Sequence, residues 1–196
     1  MKTVLLIVGA LLLPAASATA QWVQPIEIYV GGGMDAPKDP DWFDSNFKGK
    51  FHFMFGAGMR SFPFMEVVGK YEHHRVANDI PDGTGGEITA HLLGVDGKLN
   101  WEIPAFPVEP YALVGGGLSW LRQAAWDNAR PGLTVDGQTD LFYELGGGAQ
   151  AMVRDNFGLF AQARWVNIIL SPPNEGLGNS LRFYSITIGF KWVEGT

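Results

Sequence analysis

Apolar and polar residues alternate with a period of two in eight stretches of this chain, and that period predicts β-strands rather than helices. The expected strands lie at 26–34, 50–61, 64–75, 87–101, 108–121, 139–153, 157–169 and 181–193. The last is the clearest: Tyr184, Ile186, Ile188, Phe190 and Trp192 make one face, and Ser185, Thr187, Gly189 and Lys191 the other. The second repeats the pattern, with Phe51, Phe53, Phe55, Ala57 and Met59 opposed to His52, Met54, Gly56, Gly58 and Arg60.

Connector lengths alternate as well. Long connectors are expected near 35–49, 76–86, 122–138 and 170–180, and short ones near Phe62-Pro63, Ile103 to Pro107 and Arg154-Asp155-Asn156. Up-and-down barrels of outer membranes alternate short periplasmic turns with longer external loops. The chain therefore reads as an all-β protein, an eight-stranded antiparallel up-and-down transmembrane β-barrel, with both termini on the periplasmic side.

Pattern alone leaves open which face points outward, because a soluble ligand-binding barrel would turn its apolar face inward. Volume decides the matter. The apolar face carries Phe51, Phe53, Phe55, Tyr71, Trp101, Trp120, Tyr143, Trp165, Tyr184, Phe190 and Trp192, and an eight-stranded interior is just filled by ordinary side chains. The rings must face out. The other face carries Gly31, Gly56, Gly58, Gly94, Gly115, Gly117, Gly146, Gly148 and Gly189, which make room for long polar neighbours.

The same face sets Glu27, Glu66, Glu72, Asp96 and Glu144 against Arg60, Lys70, Lys98, Arg164 and Lys191. Such a balanced set suits a closed lumen, where an unpaired ion is costly. It is sparse for a soluble surface, where about 25–35% of positions are charged. Alternating strand directions would place Trp101 and Trp192 at the periplasmic interface and Trp120 and Trp165 at the outer one, with Tyr184 beside them. Two aromatic girdles are a membrane-barrel feature.

The amino-terminal end adds an export signal. Lys2, the apolar run Val4 to Leu13 and the small-x-small site Ala18-Thr19-Ala20 predict a cleaved signal peptide over 1–20 and a barrel domain over 21–196. The apolar run is about half of the roughly 20 residues a membrane helix needs. Removal of residues 1–20 takes one Lys and no acid, so 14 basic groups become 13 against 20 acidic ones, a formal charge of −7. An acidic chain lacks the electrostatic footprint of a nucleic-acid binder. Cysteine is absent, which leaves neither a lipoprotein anchor nor a disulfide framework.

The stretches Pro110 to Leu118 and Asn156 to Trp165 resemble the fifth and seventh strands of the OmpA-like and opacity-type outer-membrane barrels. The final strand is similar to the aromatic-ended signal these proteins present to the barrel-assembly machinery, although here Val193 to Thr196 follow Trp192. The resemblance implies a monomer in the bacterial outer membrane, with lipid, lipopolysaccharide and the assembly machinery as partners. It implies no cofactor, and no periplasmic peptidoglycan-binding domain is expected.

Chemistry is scarce in the sequence. No G-x-S-x-G elbow is present. Some similar barrels deacylate lipid A through a His-x-Ser pair, yet His52, His73, His74 and His91 are each followed two positions on by another residue. His73 and His74 are adjacent, so a strand would point them to opposite faces, and a strand-end or loop pair is expected. Asp35, Asp39, Asp41 and Asp44 crowd the first external connector without the EF-hand pattern and read as a solvated acidic loop. No catalytic, cofactor or metal residue is assigned, and the protein is not expected to be an enzyme.

Three roles follow from these features. The first is a structural barrel plugged by its own ion pairs, Glu27, Arg60, Glu66, Lys70, Glu72, Asp96, Lys98, Glu144, Arg164 and Lys191. The second is a narrow channel lined by the same residues. The third is binding through the loop aromatics Trp42, Phe43, Phe47 and Trp126.

Overall fold

A computed structural model describes residues 25–39, 47–78, 87–124, 139–174 and 178–194. Eight strands follow one another along the chain: β1 (Ile26–Asp39), β2 (Phe47–Phe62), β3 (Met65–Asn78), β4 (Glu87–Asn100), β5 (Val108–Ala124), β6 (Thr139–Arg154), β7 (Phe157–Asn174) and β8 (Gly178–Val193). Each pairs with the next in antiparallel register, and β1 pairs with β8 to close the barrel. Closure leaves no edge strand, the condition for a sheet to cross lipid with every backbone group satisfied.

All eight expected strands are present, and several run further toward the long-connector end than the alternation suggested. β1 continues to Asp39, β3 to Asn78, β5 to Ala124 and β7 to Asn174, so the long connectors shrink. Asp35 is the consequential correction. It belongs to β1 and is buried, not part of a solvated loop. Asp41, Asp44, Trp42, Phe43 and Trp126 lie outside the described residues, as does the expected signal peptide, and Phe47 opens β2.

The opposite end is tied by its turns. Asn100 donates its amide to Phe64, Val193 to Asn156 and Glu194 to Ile26, which joins both ends of the barrel sheet to the short-turn rim. Pro63 sits in the turn between β2 and β3, where a missing N–H costs nothing.

Face assignment follows the volume argument. Ile186 and Ile188 are 60% and 66% exposed, whereas Ser185 and Thr187 beside them are fully buried. Trp101, Tyr184 and Trp192 are exposed on the outer wall, and Trp120 and Trp165 are half-buried there. Trp165 pairs across the sheet with Tyr184, and Trp192 with Phe157 and Ile28. An exterior this apolar around a closed sheet is a lipid-facing surface.

Glycine sets the space inside. A Cβ added to Gly115 would collide with the Asp96 carboxylate and come 3.0 Å from Glu144, whereas one on outward-facing Gly97 would have its nearest neighbour at 3.9 Å. Gly115→Ala is therefore expected to cost about 1–3 kcal/mol through overpacking, with Gly97→Ala close to neutral. Urea unfolding of the two variants in lipid vesicles checks this, and equal midpoints would refute the packing assignment.

Candidate functional site

The inward positions form layers stacked along the barrel axis. At the short-turn rim, Arg60 reaches Glu102 at 3.2 Å and Glu109 at 2.9 Å, with its side chain 22% exposed. Arg60 thus stands at the mouth of the lumen, near the end of β2, and Glu109 ties it to the enclosed set through Gln150, which donates to Glu109 at 3.1 Å and accepts from Lys191 at 3.4 Å.

Above the rim, the Lys191 ammonium lies 2.8 Å from Glu27 and the Lys98 ammonium 3.2 Å from Glu66. Tyr29 joins the two pairs. Its hydroxyl sits 2.6 Å from Glu27 and 2.5 Å from Glu66, and its single proton serves one carboxylate at a time. Lys98 also stands 3.7 Å from the centre of the Tyr29 ring, a cation–π contact in a water-excluded space.

The next layer is the densest. Lys70 bridges Glu72 at 3.4 Å, Asp96 at 3.0 Å and Glu144. Arg164 contacts Glu72 at 2.5 Å and Glu144 at 3.1 Å through Nη1, and donates to Ser185 and Thr187 through Nη2. Several of the charged side chains lie next to a glycine across the sheet: Lys70 beside Gly56 and Gly94, Asp96 and Glu144 beside Gly115, Arg164 beside Gly146, and Lys191 beside Gly158. Glycine on one strand thus vacates the volume that the charged chain of its neighbour crosses.

A further layer was not anticipated. Asp35 holds its two carboxylate oxygens 3.0 Å from His52 Nδ1 and 2.7 Å from His74 Nδ1, and all three residues are buried. His73 points outward, as adjacency requires, where it stacks on Phe53 and approaches His91. His74 is therefore an interior strand residue rather than half of a strand-end pair. The signal lay in the period itself, since Asp35 is in phase with Glu27, and His74 with Glu72.

Toward the loop end the lumen turns apolar. Val76, Ile88, Ala90, Leu92, Leu121, Phe142, Val166, Ile168, Leu170, Leu181 and Phe183 form one buried cluster, with the Phe183 ring 5.0 Å from that of His74. Alternation could not reveal it, because β4 carries Leu92 inward and Leu93 and Val95 outward, both faces being apolar.

The order Asp35, His52, Thr187, with His52 Nε2 2.9 Å from Thr187 Oγ1, has the sequence of groups found in hydrolases. Here the hydroxyl is fully buried and accepts a hydrogen bond from Arg164. A nucleophile needs space beside it for a reacting carbonyl, and this one is enclosed by the ionic layer below and the apolar layer above.

No family model matches the chain, and no curated protein matches it in sequence. Solved structures do match its shape. Neisserial surface protein A is similar with a TM-score of 0.59 and 17% identity over 85% of this chain and 96% of that one. The outer membrane protein OprG from Pseudomonas aeruginosa is similar with a TM-score of 0.58 and 11% identity, over 88% of this chain and 97% of that one. The fold is that of the small eight-stranded outer-membrane barrels. At these identities the likeness concerns architecture, and the small barrel's own interior must supply any functional reading.

Proposed function

We infer that this small barrel is a sealed scaffold of the bacterial outer membrane, which holds its external connectors in place and conducts no solute. One observation carries the reading: Lys70, Lys98 and Arg164 cross the lumen fully buried and ion-paired, beneath a buried apolar cluster. A conducting pore needs a continuous wet path, and eight strands leave room for little beyond side chains. The same enclosure speaks against an enzyme, since the one carboxylate–imidazole–hydroxyl series in the described lumen meets no substrate space.

Insertion of the refolded chain into a planar bilayer tests the proposal, with a cold-versus-boiled gel shift to establish barrel folding. A folded barrel is expected to stay electrically silent from low to high salt. Steady, salt-dependent conductance whose ion selectivity changes in Lys98→Glu would overturn the scaffold reading and establish a channel. Cells expressing the protein are likewise expected to keep their lipid A mass unchanged.

A further inference from the structure

We propose that Asp35, His52 and His74 form a binding site for one divalent transition-metal ion of the zinc class, enclosed in the barrel lumen. The proposal does not depend on whether the barrel conducts. Ligand atoms from the three residues lie within 4.8 Å of one another, and zinc takes imidazole nitrogen and carboxylate oxygen at about 2 Å. Two histidines and one carboxylate are a recurrent ligand set for such ions.

Hydrogen bonding around the imidazoles favours this use. His52 Nε2 lies 2.9 Å from Thr187 Oγ1 and 3.5 Å from Ser185 Oγ, hydroxyls that can accept an Nε2–H when Nδ1, 3.0 Å from Asp35 Oδ1, binds an ion. His74 Nε2 lies 3.3 Å from Glu72 Oε2, which accepts an Nε2–H, while the Nδ1 proton donated to Asp35 Oδ2 at 2.7 Å is the one an ion would displace. Outer partners that fix the tautomer of a ligating histidine are a general feature of metal centres. Glu72 is itself held by Arg164 and Lys70, which fixes its carboxylate beside His74.

Two further observations point to a cation. Asp35 Oδ1 and His52 Nδ1 are fully buried and 3.0 Å apart, yet neither has a hydrogen-bond partner. Buried polar atoms without partners are costly, and a shared metal ion would satisfy both. The enclosed charges also fail to balance. Beneath the apolar cluster, Glu27, Asp35, Glu66, Glu72, Asp96 and Glu144 are buried against Lys70, Lys98, Arg164 and Lys191. Six carboxylates against four Lys and Arg cations leave two negative charges among the described residues, a deficit filled either by protons on His52 and His74 or by a divalent ion that displaces them. The apolar layer above the site would retain an ion captured as the barrel closes.

The test is to refold the full chain, without an affinity tag, in the presence of Zn²⁺ or Co²⁺, strip external metal with a chelator, and measure metal per folded barrel by elemental analysis. His73→Gln/His91→Gln serves as the background, since these outward rings approach each other with Nδ1 atoms 3.5 Å apart and could take up metal separately. One ion per chain is expected in that background, falling at least tenfold in Asp35→Asn or His52→Gln/His74→Gln. Less than a tenth of an ion in the folded background protein, or full loading in the variants, would overturn the site. Should the variants lose the gel shift, visible absorption of the Co²⁺-loaded background protein decides: bands of a four- or five-coordinate nitrogen–oxygen site support the proposal, and an octahedral aqua-like spectrum refutes it.

Discussion

Arg164→Met is expected to lower the unfolding free energy in lipid vesicles by about 3–5 kcal/mol, the cost of stranding a buried ion partner. The guanidinium is fully buried and meets Glu72, Glu144, Ser185 and Thr187, residues of β3, β6 and β8. Methionine fills much of the same volume, so packing changes little and the loss reports on charge. Lys70 alone would then face three carboxylates, Glu72, Asp96 and Glu144. Arg164→Lys keeps the charge but not the planar fork that engages several acceptors at once, and should fall between the two. Urea titration followed by tryptophan fluorescence measures the series. A loss below 1 kcal/mol in Arg164→Met would mean that water reaches the carboxylates, and the sealed lumen would have to be abandoned.

Ile188→Arg tests the opposite face. Ile188 lies midway along the exposed row of β8 between Tyr184 and Trp192, and is 66% exposed on the outer wall. A cationic side chain at the bilayer midplane costs about 2–4 kcal/mol and falls to about 0–1 kcal/mol near the interfaces. Ile188→Arg should therefore destabilise the folded barrel in vesicles by the larger amount, and Tyr184→Arg by the smaller. Equal effects would place the two residues at the same depth and remove the basis for expecting aromatic girdles. A negligible effect at Ile188 would mean that the apolar row does not face lipid.

The two substitutions concern faces whose orientation the sequence allowed to be worked out, but by different routes. Strand number, order and the outward apolar row were legible because period-two alternation and alternating connector lengths are local properties. Direction came from volume, since the rings of Phe51, Phe53, Phe55, Trp165 and Trp192 exceed what eight strands enclose. Most of the ionic residues were legible for the same reason: once the apolar face points out, Glu66, Lys70 and Glu72 of β3 must point in.

What the sequence determined by itself, then, was an eight-stranded barrel with rings outside and charges within. Tertiary structure alone decided which charges meet. Lys70 and Glu144 are 74 residues apart, and only barrel closure and strand stagger bring them to one height. The same stagger leaves Arg60 at the rim and carries Asp35, His52 and His74, from three strands, into one layer. It also assembles the buried apolar cluster from β3 through β8, where both faces of β4 are apolar and alternation carries no sign. Period assigns each side chain to a face, but height within the lumen depends on cross-strand register, and register is a property of paired strands rather than of any one of them.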